Sequence, residues 1–167
     1  MKRNLHTLII FFAVLFTMNS CSSDTTVETA DSTTSLLVEN YTYSELELET
    51  LDLINKHRVS VGLKALEKIN HISSKSEEHD FYMIEKKAAS HDGFVERANN
   101  IKKVLGAKSV GENIAYNYKS ALAAVTAWLN SPTHKENIEG DFTHFGIAIR
   151  EDATTGKKYY TNIFVKI

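Results

Sequence analysis

Two short runs near the C-terminus set the tightest limit on the fold. Phe145, Ile147 and Ile149 alternate with Gly146, Ala148 and Arg150. Tyr159, Thr161, Ile163 and Val165 alternate in the same way. A period of two marks a half-buried strand. The segment Asp152 to Gly156 between the runs reads DATTG, which is turn chemistry. The pair therefore predicts an antiparallel hairpin, and a hairpin must cover its apolar face with something else.

The upstream sequence supplies helices for that purpose. Ser44-Glu45-Leu46-Glu47 has the spacing of a capping box, with Ser44 as the cap and Glu47 reaching back. Leu46, Leu53, Ile54 and Val61 follow at roughly helical period, and Gly62 is a natural stop. A second helix is predicted from about Asn70 to Lys87, with Ile72, Met83 and Ile84 inward. A third is predicted over Phe94–Leu105, with Phe94, Ala98, Ile101 and Leu105 on one side and Gly106 as its cap. A fourth is predicted in ALAAVTAWLN after Ser120, closed by Ser131-Pro132. Helices first and a hairpin last predict an α+β domain, over about residues 44–167.

The N-terminus has a different character. Lys2 and Arg3 precede an unbroken apolar run from Leu8 to Phe16. Nine residues are too few to span a bilayer, and the layout is that of a secretory signal peptide over residues 1–20. The chain's single cysteine, Cys21, follows Ser20 directly. This junction resembles a bacterial lipoprotein signal, in which the cysteine after the cut carries lipid. The alternative is a free thiol beyond an ordinary cleavage site. Ser22 to Ser35 is mostly Ser and Thr with three acidic residues, too polar to build a core, and residues 21–43 are read as a tether. No Lys or Arg occurs between Asn4 and Asn55, so a polybasic second membrane signal is missing there. Lys plus Arg total 19 against 21 Asp plus Glu, a balance that argues against nucleic-acid binding.

Three polar clusters stand out: Ser90-His91-Asp92-Gly93, Gly111-Glu112-Asn113-Ile114, and Trp128-Leu129-Asn130-Ser131-Pro132-Thr133-His134. No helical spacing links them, so only the fold can bring them together. If it does, His91, Glu112 and His134 are of the right types for a three-ligand site for zinc or another divalent metal. They are equally suited to a hydrogen-bonded polar cavity.

These segments, together with Asn55-Lys56-His57-Arg58, Gly62-Leu63 and Phe145-Gly146-Ile147-Ala148, occur in the order of bacterial CAP (SCP-like) domains, which the chain resembles. The superfamily includes cysteine-rich secretory proteins, antigen 5 and pathogenesis-related 1 proteins. The resemblance covers nearly all of residues 48–167. It implies an α-β-α sandwich around a central antiparallel sheet more extensive than one hairpin. It also implies a cavity to which His91, Glu112 and His134 contribute, and bacterial members commonly place a serine, here Ser131, where eukaryotic ones have a second acid. Asn113 and Asn137 are expected to fix backbone. Trp128, Phe145 and Tyr160 are expected in the core, and His144 is expected to be structural; His57, His71 and His79 receive no role.

Two functions follow as expectations. The first is a non-catalytic binding or interaction module, lipid-anchored at the bacterial cell envelope on its extracytoplasmic side, with a lipid, glycan or peptide ligand. The second is a hydrolase, a peptidase or esterase, using His91, Glu112 and His134 with zinc or by acid/base catalysis. Ser131 precedes proline and lacks a nucleophile-elbow context, which argues against a covalent serine mechanism.

Overall fold

The computed structural model describes residues 36–167, so the expected signal peptide, Cys21 and most of the expected tether lie outside the described residues. The elements run α1 (Glu45–Ser60), β1 (Glu67–Lys68), α2 (Asn70–Lys86), α3 (Phe94–Leu105), β2 (Ser109–Tyr116), α4 (Ala121–Asn130), α5 (Pro132–Glu139), β3 (His144–Glu151) and β4 (Lys158–Lys166). The strands form one sheet in the order β1-β3-β4-β2. The hairpin of β3 and β4 is antiparallel, and β2 adds antiparallel to the far side of β4. The two-residue β1 pairs parallel to β3, so the sheet is mixed at that edge.

Side-chain alternation divides the core into two layers. Phe145, Ile147, Tyr160 and Phe164 pack with Leu51 and Ile54 of α1, Trp128 of α4 and Ile138 of α5. On the other face, Ile163 and Val165 pack with Ile72 of α2 and Ile101 of α3. Helices thus cover both faces, and the arrangement is an α-β-α sandwich. Among the described residues no helix is long and apolar enough to cross a membrane.

Local chemistry explains most boundaries. The α1 capping box forms: Ser44 Oγ accepts from the Glu47 N–H, and the Glu47 carboxylate accepts from the Ser44 N–H at 2.7 Å. The third helix begins and ends where its apolar stripe does, before Gly106. The Ser131-Pro132 break does close α4, but the chain turns straight into α5 with Pro132 in its first turn. That position suits proline because the first helical N–H needs no partner within the helix.

Two elements carry no readable period. Strand β2 reads SVGENIAY, and its centre buries Glu112 and Asn113, which breaks the apolar alternation. Strand β1 is too short to carry a period. The tether expected over residues 21–43 also ends earlier than its composition suggests. Val38 N–H donates to His71 Nδ1 at 3.2 Å, and Asn70 Nδ2 donates to the Glu39 carbonyl at 2.6 Å. Tyr41 OH donates to Glu47 Oε1 at 2.9 Å, and Tyr43 OH lies 2.9 Å from Ser73 Oγ. Two tyrosines give this stretch an apolar body and a polar tip that the Ser/Thr-rich part lacks.

Gly146 shows how closely α2 approaches the sheet. A Cβ built there would lie 2.5 Å from the Ser73 backbone nitrogen and 2.7 Å from the Ile72 carbonyl carbon. Helix and strand meet backbone to backbone, which only glycine allows. The Gly146→Ala variant is expected to lose about 1–3 kcal/mol or more of stability through overpacking. Urea unfolding measures this, and a midpoint unchanged from wild type would show that α2 can retreat freely.

Candidate functional site

The site grows from one buried acid. Glu112 lies in the middle of β2 with its side chain 2% exposed. An ionised carboxylate at such a position needs counter-charge and hydrogen bonds. Arg97 of α3 provides both. Its Nη2 donates to Oε2 at 2.8 Å and to Oε1 at 3.0 Å, and its Nε donates to Oε2 at 3.0 Å. This is the bidentate fork that guanidinium makes with carboxylate. His91 adds a second partner, with Nδ1 2.8 Å from Oε1. An ionised carboxylate only accepts, so Nδ1 carries the hydrogen, and in the neutral ring Nε2 holds the lone pair. The His91 side chain is 51% exposed, so the imidazole reaches from the buried acid to solvent.

His134 stands in the first turn of α5. Its Nδ1 lies 2.8 Å from Ser131 Oγ, so Ser131 is its direct partner. Burial lowers the His134 pKa below the ordinary histidine value, and the nearby His91 lowers it further. Ser131 and His134 line a groove of about 380 Å³ together with Ile114, Tyr116, Tyr118 and Trp128. Trp128 itself is core, and its Nε1–H donates to the Ile114 carbonyl at 2.8 Å.

The backbone beneath these groups is fixed by amides, as expected of Asn113 and Asn137. Asn113 Nδ2 donates to the His134 carbonyl at 2.9 Å. Asn137 Nδ2 donates to Asn113 Oδ1 at 2.8 Å and to the Glu112 carbonyl at 3.2 Å. Gly111 leaves room for this bridge, because a Cβ there would lie 2.7 Å from Asn137 Oδ1. Each letter of the G-E-N segment therefore has a physical task.

His57, His71 and His144 lie apart from this set. His57 Nε2 is 2.8 Å from Glu139 Oε1, and His144 Nδ1 is 2.8 Å from Thr143 Oγ1. His144 lines a separate hollow of about 680 Å³ with Arg58, Phe142 and Lys166. His71 is buried between the N-terminal strap and Asn100 of α3.

The bonding of the acid bears directly on the zinc expectation. Glu112 engages both carboxylate oxygens with Arg97 and one of them also with His91. Among the described residues, no three His, Cys, Asp or Glu side chains are grouped as a metal site. The trio does not fit a three-ligand zinc site. Glu112 instead orients His91 and neutralises Arg97. A general-base role for Glu112 would first have to break the guanidinium pair.

Apolar periodicity passes over Arg97. It sits three residues after Phe94 and one before Ala98, on the border of the apolar stripe of α3. A basic residue at such a position is a readable signal for a buried acid nearby. Arg97→Ala leaves Glu112 buried without its main counter-charge and is expected to cost about 3–5 kcal/mol. Adding Glu112→Gln to that variant is expected to recover much of the loss. The double-mutant cycle in urea measures the coupling; additive losses would show that the pair does not hold α3 to β2.

Comparison with known proteins agrees with this fold. The family model of the cysteine-rich secretory protein family, CAP, matches residues 51–165. The membrane protein YlbC of Bacillus subtilis is 34% identical over 129 residues, covering 72% of this chain but only 34% of YlbC. An extracellular protein containing an SCP domain from Bacillus anthracis superposes with a TM-score of 0.64 at 28% identity, over 72% of this chain and 40% of that one. An outer surface protein from Borrelia burgdorferi superposes with a TM-score of 0.66 at 20% identity, over 77% of this chain and 98% of that one. The chain belongs to the cysteine-rich secretory protein (CAP) family.

Proposed function

We propose that the protein is a non-catalytic ligand-binding module, held by lipid on Cys21 at the extracytoplasmic side of a bacterial envelope. One observation carries the binding reading: the buried Glu112 carboxylate is committed to Arg97 and His91. An acid held in this way is a fixed counter-charge rather than a proton carrier. The His91 ring is half exposed, with its far nitrogen not engaged by Glu112, and a neutral His134 lines an aromatic-walled groove. That surface suits a ligand with a hydrogen-bond donor next to an apolar part, as in a lipid, a glycan or a peptide. The extracytoplasmic reading is supported by the charged start, short apolar run and Ser20-Cys21 junction of the sequence. It is also supported by the extracellular and outer-surface relatives.

The catalytic alternative is tested directly. The mature chain is expected to turn over fluorogenic ester and peptide substrates no faster than its Glu112→Gln variant. Turnover that disappears in Glu112→Gln would overturn the non-catalytic reading. The anchor is tested by fractionation. Cys21→Ser is expected to move the protein from the membrane fraction to the soluble fraction, and an unchanged distribution would remove the lipid from the account.

A further inference from the structure

The turn that presents His91 is gripped on both sides. His79 of α2 is 2% exposed, and its Nε2 donates to the Ser90 carbonyl at 2.7 Å. Arg97 of α3 donates from Nη1 to the Asp92 carbonyl at 2.7 Å. The two carbonyls are those of the residues immediately before and after His91. Tyr82, one turn along α2 from His79, stacks on the His79 ring at 5.8 Å and donates its OH to the Asp92 carboxylate at 3.1 Å. Helices α2 and α3 thus hold the turn between them, while Glu112 holds the His91 ring from below.

We propose that His79 is a positioning residue for His91, using its Nε2–H to lock the Ser90 carbonyl so that the His91 ring delivers Nδ1–H to Glu112. The internal chemistry of His79 supports a bonding role over simple packing. A carbonyl only accepts, so the His79 hydrogen sits on Nε2. The other ring nitrogen, Nδ1, is buried with no partner among the described residues. An orphaned buried acceptor costs free energy that an apolar side chain in the same space would not. The bond on the opposite nitrogen is what distinguishes histidine from such a side chain. Burial, and then the positive charge of Arg97, push the His79 pKa down, so the ring stays neutral and its single hydrogen stays on the Ser90 side. Arg97 performs the matching task on Asp92, and both helices are anchored through the sheet.

The inference deepens the binding reading, since it assumes that His91 is the ligand-facing imidazole. Its test uses ligand-free protein, so it fails or succeeds whether or not a ligand is found. Long-range proton–nitrogen spectra of the nitrogen-15-labelled mature chain report which nitrogen of each imidazole is protonated. Wild-type His91 is expected in the Nδ1–H form. His79→Asn keeps a polar amide too short to reach Ser90, and is expected to lower the ratio of the Nδ1–H to the Nε2–H form of His91 roughly tenfold, the equilibrium effect of one ordinary hydrogen bond. His79→Gln can extend an amide N–H to the same carbonyl and is expected to restore the ratio. Amide signals of Tyr160 and Ile163 in β4 monitor the fold, which a purely structural role would disturb without moving the tautomer. A His91 tautomer unchanged in His79→Asn would overturn the proposal, as would equal loss in His79→Asn and His79→Gln.

Discussion

The cost of burying a negative charge organises one half of this domain. Glu112 sits on a strand that helices cover, where an unpaired carboxylate is costly. Its main counter-charge is Arg97, so α3 must dock with that face toward β2. Docking α3 in that register also places Arg97 Nη1 on the turn before the helix. One guanidinium therefore links the helix position to the turn conformation, while Glu112 meets His91 Nδ1. Such a network tolerates little partial satisfaction, because each member's partner is another buried or half-buried polar group.

A second buried acid does the same for the other half. Glu47 is fully buried and accepts from Tyr41 OH, the Ser44 N–H, the Ile149 N–H and Arg150 Nη1, all within 2.9 Å. It joins the N-terminal strap, the start of α1 and strand β3 in one carboxylate. Arg150 continues the chain to Glu77 of α2 at 2.6 Å. A capping-box glutamate ordinarily stays at the surface of its helix. Here it also ties both helical layers to the sheet, which is why the strap folds back instead of continuing the tether.

The legible and illegible parts of the sequence divide along this line. Apolar periodicity locates α1, α2, α3, α4 and the β3–β4 hairpin, because each buries a stripe or alternating face of hydrocarbon. It misses β2, whose buried positions include Glu112 and Asn113, since a pattern of apolar residues cannot report a strand that buries charge. It misses α5 because proline after serine reads as a stop, although proline is equally at home at a helix start. The cavity residues are legible through the order of short motifs rather than through periodicity, and their hierarchy is not legible at all. Glu112 reads as a ligand or base, and the fold makes it a support. Arg97 and His79 read as ordinary helix residues, and the fold places them against the turn that carries His91.

The serine at position 131 then decides the electrostatic character of the opening. With an acid there, a carboxylate would meet the His134 ring and favour a proton on it. Ser131 offers His134 a neutral hydroxyl instead. The buried acid Glu112 is matched by Arg97, and the Asp92 carboxylate beside His91 is bonded to Tyr82 OH. Burial and the neighbouring His91 both disfavour a proton on His134. Ser131 and His134 thus give the aromatic groove a polar edge without a carboxylate of its own. Ligands that gain from such a surface are those whose donors replace water without a change in charge. Selectivity would rest on the placement of those donors relative to the groove, and a pre-fixed His91 reduces the ordering cost of meeting them.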